Sequence, residues 1–371
     1  MAIYKDIVKR IPISAEKKTK QKQYLSCGVL PIIDQGQQII GGYTDDISKK
    51  IDCDLPVIVF GDHTRCVKLI KFAFAPGADG IKVVRPIDNS VLIEYLFYAT
   101  KYLATKIRDK GYARHYQDVE KQELEIPTVL KQKEIVLKSE KNLSSLDNAV
   151  ETLNKTKEQL AVYRQAVLKE AFEGIDTCVY KEITSLCDNI VDCPHSTPKW
   201  VHNGKLCLRT TNFRRGYLDL SEKNYVSVET YNERITRLKP ESGDVLFSRE
   251  GAILGLACII PSGLEICMGQ RMMLLRPSKE MNNRYLMHYL NSPISRQLIV
   301  ENVGGSASPH INVGDIKRFK IPFVNRNKQE EIVSMVDARL SLCDSIEATV
   351  DNALAKAEAM RQSILKEAFE S

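Results

Sequence analysis

The sequence predicts an α/β protein, α+β in the arrangement of its elements. Two tandem globular domains are separated by two long antiparallel coiled-coil-like helices in a pseudo-twofold internal repeat. Three observations carry this expectation. The decapeptide RQAVLKEAFE at 164–173 returns as RQSILKEAFE at 361–370. Each copy closes a stretch, 131–173 or 328–370, that contains neither proline nor glycine. Ahead of each stretch lies a region of β-branched and aromatic runs broken by turn residues, which reads as short strands and loops.

The repeat extends well beyond the decapeptide. KQKEIV at 131–136 answers KQEEIV at 328–333, and the ungapped stretches 131–173 and 328–370 share 17 identities in 43 positions. That is far above chance for unrelated helices and marks a duplication. Upstream the offset falls in steps, from 197 residues in this block to 195 between His115 with Ile126-Pro127 and His310 with Ile321-Pro322. It falls to 191 between VVRP ending at Pro86 and LLRP ending at Pro277, and to 176 between IYKDI at 3–7 and VYKEI at 179–183. Two copies that gained or lost loop residues would drift in this way. The expected layout is a first domain at 1–130, a central helix at 131–174, a second domain at 175–327 and a C-terminal helix at 328–371.

Within the domains, DLPVIVFGD (54–62) and SGDVLFSREG (242–251) are apolar runs bounded by turns, as strands should be. In the helices, Leu143, Leu146, Val150, Leu153, Lys157, Leu160, Arg164 and Val167 follow a 3,4 spacing. Leu340, Cys343, Glu347, Val350, Leu354, Ala357, Arg361 and Ile364 do the same. Each helix would run about 60 Å at 1.5 Å per residue. A helix of that length cannot bury its stripe alone, so the two are expected to pack on one another. The charges on the stripe, Lys157, Glu347 and Arg361, then either pair across the seam or meet another protein.

Composition sets outer bounds. With 371 residues and 43% hydrophobic content, the chain has room for two or three cored units. A net charge of +6 permits nucleic-acid binding without demanding it. The ten cysteines include no CxxC pair, the N-terminus has no long apolar leader, and no apolar run is long enough to span a membrane, so a soluble, reduced, cytoplasmic protein is expected.

With this plan in place, local strings become specific. DCPHSTPKW (192–200), LRTTNFRRGYLDL (208–220), GDVLFSREGAILG (243–255), GQRMMLLRP (269–277), SPHINVGDIKRFKIP (308–322) and KQEEIV stand in the second copy. PIIDQGQQIIGGYT (31–44), VFGDHTRCVK (59–68), FAPGADGIKV (74–83) and KQKEIV stand in the first. Over essentially its full length the chain resembles the DNA-specificity subunit of type I restriction–modification systems. The resemblance implies two target-recognition domains, each reading one half of a bipartite double-stranded DNA site, with the helices fixing the gap. It also implies two docked methyltransferase subunits that carry S-adenosylmethionine, a separate restriction subunit using ATP and Mg, and no catalysis in this chain itself.

The candidate DNA contacts are loop side chains able to form two-pronged hydrogen bonds: Arg to guanine, Gln or Asn to adenine, Asp or Glu to cytosine. In the second copy these are Arg209, Thr210, Asn212, Arg214, Arg215, Arg249, Glu250, Gln270 and Arg271; in the first they are Gln35, Asp62, His63, Thr64, Asp79 and Lys82. Any one of them could instead be a solvated loop residue or a cap. Gly61, Gly243, Gly251 and Gly255 are expected to shape turns. The repeated tails offer Arg164, Lys169, Glu170 and Phe172, with Arg361, Lys366, Glu367 and Phe369, as contacts duplicated because a partner is duplicated. The competing expectation is that Phe172 and Phe369 staple each helix to the opposite domain.

Other chemistries find less support. Cys187, Cys193, His195 and His202 are zinc-ligand types, but their spacing matches no tight knuckle. His115 and His310 occupy matching places with no accompanying nucleophile, so packing or a DNA-backbone contact is expected. No GxxxxGK[ST] or GxGxxG string is present, nor the Asn/Asp-Pro-Pro-aromatic string with which amino-methyltransferases grip a flipped base. The rival readings are a coiled-coil scaffold with protein-binding ends, which predicts no salt-sensitive DNA affinity, and a stand-alone methyltransferase or nuclease.

Overall fold

The computed structural model describes residues 1–371 except 78–79, 109, 176–177, 252, 303–308 and 371, and it leaves the side chain of residue 302 undescribed. Asp79 and the first residue of the SPHINVGD string therefore lie outside the described residues. The chain divides into two compact units, residues 1–154 with 351–371, and residues 155–350. Among the described residues no helix is long and apolar enough to cross a membrane.

In the first unit, the strands Val8–Ile11, Ile81–Pro86, Val57–Gly61 and Val67–Ile70 lie in that order in an antiparallel sheet. The run Val-Ile-Val-Phe is apolar at every position because both faces of its strand are covered. Ile58 and Phe60 point to a core built on the helix Ile93–Lys106, through Tyr95, Leu96, Ala99 and Leu103. Val57 and Val59 point the other way, toward Ile33, Ile70 and Phe74. Alternate residues of a strand face opposite sides, so one unbroken apolar run serves two cores. A smaller sheet pairs Leu30–Ile33 antiparallel with Gly42–Thr44 and parallel with Ala75–Pro76.

The second unit repeats this plan. Its main sheet is Cys187–Asp192, Met272–Pro277, Val245–Ser248 and Ala257–Ile259, again antiparallel throughout. Lys205–Leu208 pairs parallel with Ile266–Met268 in its small sheet, as Leu30–Ile33 does with Ala75–Pro76. Val245 and Phe247 join one core and Leu246 the other.

Sheet register corrects one part of the sequence repeat. Val8 stands opposite Pro86, and Cys187 opposite Pro277, so these strands start at an offset of 179 (187 − 8), not 176, and an irregularity after Cys187 raises it to 180 (189 − 9) from Lys9 and Asn189 onward. The likeness of IYKDI to VYKEI is thus three to four residues out of step with the backbone. A five-residue string is short enough for chance to shift it, whereas pairing against a fixed neighbour strand cannot slip without turning every side chain to the wrong face.

The long helices span Val129–Phe172 and Arg326–Glu370, each starting two residues before its expected position. In the first unit Lys138 pairs with Glu367 (2.6 Å) and Asp147 with Arg361. In the second, Arg164 pairs with Asp344 (2.6 Å) and Glu347 (2.8 Å), and Glu170 with Arg339 (2.7 Å). In each unit, partner numbers fall as the central helix advances, so the helix segments there run antiparallel. Arg164–Asp344 and Arg361–Asp147 are the same pair 197 residues apart, which accounts for Glu347 and Arg361 on the stripe: within each unit these charges join the helices.

Both helix segments also complete a domain core. Val136, Leu143 and Leu365 enter the first-unit core with Tyr4 and Tyr95, and Phe369 packs its ring 5.3 Å from those of both Tyr95 and Tyr102. In the second unit Val167, Leu168 and Phe172 join Ile332, Val333 and Val336, with Phe172 set edge-on against Tyr285 (5.1 Å) and Tyr289 (5.4 Å). Tyr95 and Tyr285 each close the arrangement by donating a hydroxyl to a carbonyl, of Glu125 and Pro322 respectively, at 2.7 Å.

Candidate nucleic-acid interface

In both units the candidate loops gather at one corner of the main sheet, where Val57–Gly61 or Val245–Ser248 ends and Ile81–Pro86 or Met272–Pro277 begins. Gly61 stands opposite Ile81, and Ser248 opposite Met272. The residues one step further out therefore correspond: Asp62 with Arg249, and Gly80 with Arg271. Their backbones are tied alike, the Asp62 N–H donating to the Gly80 carbonyl (2.6 Å) and the Arg249 N–H to the Arg271 carbonyl (3.0 Å). Gly80 and Arg271 both adopt positive φ, +102° and +66°.

The chemistry at this shared corner is inverted. In the first unit Asp62 is buried, its carboxylate accepting the Tyr116 N–H (2.9 Å) and facing the Lys82 ammonium at 3.4 Å. In the second, Arg249 is 6% exposed and grips Asp192 with two prongs, Nε to Oδ1 at 2.9 Å and Nη2 to Oδ2 at 3.3 Å. Neither Asp62 nor Arg249 presents its charged end to solvent, because a buried charge must be paired to be tolerated. Sequence reading offered both as direct readers; the structure places both beneath the surface as struts.

Around Asp62 the first-unit loops interlock. Gln35 accepts the His63 N–H at its side-chain oxygen (3.3 Å), and its carbonyl accepts the Thr64 hydroxyl (2.6 Å). This crossing needs Gly61: a Cβ there would stand 2.4 Å from Thr64 Oγ1 and 2.9 Å from Gln35 Cβ. The His63 ring stacks on Tyr112 at 4.1 Å with its Nδ1 3.0 Å from the Ala113 carbonyl. Beside it opens a cleft of about 280 Å3 lined by Arg10, Lys18, Asp62, His63, Lys82 and Arg114, basic but for the paired Asp62. Arg10, Arg114 and Tyr112 belong to no motif and were invisible in the sequence.

In the second unit the loop after the strand Cys187–Asp192, the Arg209 turn and the Gly269–Arg271 turn meet. Gly269 is required, since a Cβ would lie 2.3 Å from the Leu208 carbonyl oxygen. Arg234, buried and outside every motif, fixes this junction by donating to four carbonyls: Met268 (2.7 Å), Gly269 (2.9 Å), Ser196 (3.2 Å) and Pro194 (3.4 Å). No sequence signal marks it. Gln270 is spent on the same junction, its amide nitrogen donating to the His195 carbonyl (2.5 Å) and its oxygen facing the Thr197 hydroxyl (3.4 Å). Glu250 stands between two arginines, 3.3 Å from Arg249 and 3.5 Å from Arg271.

The RTTNFRRG stretch divides. Arg209 is exposed and lies over the Trp200 ring (5.8 Å), near the junction, and Thr210 opens the adjoining turn. Asn212 is buried, accepting the Arg209 N–H and donating to the Asp219 and Glu222 carbonyls, and so shapes the loop. Arg214 is held by Asp219 at 2.7 Å. Arg215 is exposed on another flank, where partial desolvation and the like charge of Arg296 pull its pKa below the usual guanidinium range. Gly243, Gly251 and Gly255 all take positive φ, as turn formers do.

Two further expectations are resolved by position. His115 is buried, and its N–H donates to the Asp62 carbonyl (2.9 Å), whereas Ile311 fills that role toward Arg249 (3.1 Å). The two histidines aligned by sequence are therefore not equivalent: a one-residue difference in loop length separates them. Of the zinc-type residues, Cys187 and Cys193 are buried while His195 is exposed beside Asp192 (3.2 Å), and no group of three or more ligands able to hold a metal occurs among the described residues.

Residues 209–356 match the family model described as the type I restriction modification DNA specificity domain. That match lies within the second copy, and over most of its length the chain is similar to specificity subunits of type I restriction enzymes. Among its relatives, the EcoR124I/EcoR124II specificity subunit of Escherichia coli is 24% identical over 88% of this chain and 83% of its own length. The EcoKI specificity subunit of Escherichia coli (strain K12) is 27% identical over 66% of this chain and 56% of its own. Folds agree as well. A chain from a structural study of complex assembly and conformational transition of the type I R-M system superposes with a TM-score of 0.71 at 17% identity, covering 99% of this chain and 96% of that one. The HsdS subunit from Thermoanaerobacter tengcongensis gives 0.51 at 17% identity, covering 99% and 95%. The family match falls on the second copy, where the specificity-family strings are fullest. The first copy shares its sheet order and corner geometry.

The tails that sequence offered to a partner are largely engaged within the chain itself. Phe172 and Phe369 are ring-packed against tyrosines, and Arg164 and Arg361 are held across the helix seam. Lys169, Glu170, Lys366 and Glu367 face solvent, with Glu170 and Glu367 also reaching Arg339 and Lys138. Another recurrence has a clear internal task. Gln132 and Gln329, from the two KQ(K/E)EIV strings, are fully buried. Each accepts the N–H at the start of a domain helix, Leu92 (2.8 Å) or Asn282 (2.7 Å), and donates to two carbonyls.

Proposed function

We propose that this chain is the non-catalytic DNA-reading subunit of a multi-subunit methyltransferase. Each unit reads one half of a bipartite double-stranded site, and the long helices set the gap. The observation that carries the reading is the duplicated corner: two copies of one loop junction, on equivalent strand ends, with inverted buried charge. Duplicated architecture supplies two readers, and different side chains at the same place supply two sequences to read.

In this reading two methyltransferase subunits bring S-adenosylmethionine, and a restriction subunit brings ATP and Mg. The solvent-facing Lys169, Glu170, Lys366 and Glu367 are repeated at matching places and suit contacts to a duplicated partner. The test is to map methylated bases in a genome carrying this gene with its partner genes, and again without it. Two short specified blocks at a fixed spacing are expected; one contiguous block would refute the proposal. Methyl transfer by the purified single chain would refute the non-catalytic assignment.

A further inference from the structure

We infer that Arg271 is the guanine-reading side chain of the second unit, and that Arg249 and Gln270, its neighbours in the same junction, are positioning residues that hold it. This rests on the DNA-reading function proposed above and deepens it to one residue and one base.

Of Arg249, Gln270 and Arg271, the junction leaves Arg271 in a reading posture. Gln270 has its amide nitrogen engaged with the His195 carbonyl and its oxygen with Thr197. Arg249 is buried in its two-pronged pair with Asp192. Arg271, in contrast, has a side chain 57% exposed. A relay of charge braces its stem: Asp192 holds Arg249, Arg249 faces Glu250 at 3.3 Å, and Glu250 faces Arg271 Nε at 3.5 Å. Among the described residues neither terminal nitrogen of Arg271 has a hydrogen-bond partner, so both prongs of the fork remain for an acceptor pair. Guanine O6 and N7 in the major groove form such a pair, and no other base edge there offers two adjacent acceptors.

The backbone supplies an independent sign. Arg271 sits at φ +66°, a region that favours glycine, and the equivalent place in the first unit is Gly80 at +102°. Folding alone would prefer glycine at 271. An arginine kept in a glycine conformation, tied through its carbonyl to Arg249, marks a side chain whose use outweighs its backbone cost.

That conformation also gives a clean experiment, because Arg271→Gly removes the side chain while easing the backbone. The full-length chain in complex with its methyltransferase partner is used to select from a pool of randomised duplexes. Wild type is expected to specify a guanine at one position of one block. R271G is expected to lose that guanine preference by roughly ten- to a hundred-fold. It should keep every other specified position and melt no lower than wild type. R271K, which keeps the charge but not the fork, should lose the preference too.

Retention of the guanine preference by R271G would overturn the inference, as would a loss of affinity equal for all sequences, which is the mark of a phosphate contact. If R271G fails to fold, R271K decides by the same readout. A wild-type complex with no sequence preference would sink the DNA-reading proposal itself, an outcome distinct from either failure of Arg271.

Discussion

At the scale of single residues, the candidate side chains separate by what already holds them. Arg249 and Asp62 have the residue types of base readers, yet each is sequestered by an opposite charge. Removing one partner of a buried pair strands the other, at a cost of about 3–5 kcal/mol. Arg249→Met should therefore lower unfolding free energy by about that amount, and Asp192→Leu added to it should restore much of the loss, as read in denaturant melts. A similar argument gives a pH dependence. Asp337 loses hydration on burial, which raises its pKa, but hydrogen bonds from His288 (2.8 Å) and Arg284 (2.7 Å) outweigh this and hold it below the usual carboxylate value. A carboxylate with a depressed folded pKa stabilises fully above its unfolded pKa and loses that contribution as pH falls through the folded one. Stability of the second unit should thus decline on acidification from about pH 4 downward, and Asp337→Asn should flatten that part of the profile.

At the scale of elements, the repeated strings prove to be joints. Gln132 and Gln329 each bind the first turn of a domain helix to the start of a long helix, with three hydrogen bonds in a buried site. Gln329→Leu keeps the volume and leaves those groups unpaired, at about 1–3 kcal/mol for each group stranded. The loss should appear as faster hydrogen exchange in Asn283–Leu290. Phe172 is 3% exposed between two tyrosines, so Phe172→Ala should cost about 3–5 kcal/mol in thermal or denaturant unfolding. These effects answer why the decapeptide occurs twice: each copy docks a helix tail into a domain core that would otherwise lie open.

At the scale of the whole molecule, the interleaving has a consequence for truncation. Residues 351–371 belong to the same unit as residues 1–154, although the chain reaches them last. Removing 351–371 should deprotect Ile93–Lys106 and the start of the central helix in hydrogen exchange, while the strands at 245–277 remain protected. In selection from randomised duplexes, the truncated chain should lose the block read by the first unit and keep the other. Equal loss of both blocks would argue against one unit per half-site.

Much of this was legible in the sequence. The duplication, the two long helices, the buried strands around VIVF and VLF, and the loops that form the corner all follow from periodicity and local strings, because each is a property of residues near one another in the chain. Sequence likeness put the first strand three to four residues out of step and paired His115 with His310, since sheet register is set by a strand far away in sequence. Arg234, Arg10, Arg114 and Tyr112 went unseen because they gain their roles from neighbours 30 to 100 positions distant. The sequence by itself determined that there are two similar halves and which loops carry side chains of base-reading type. Only the tertiary structure decided which side chains of those loops are free. An arginine buried against Asp192 and an arginine held out at positive φ are the same letter, and burial and pairing, not residue type, determine whether a charge can meet a base.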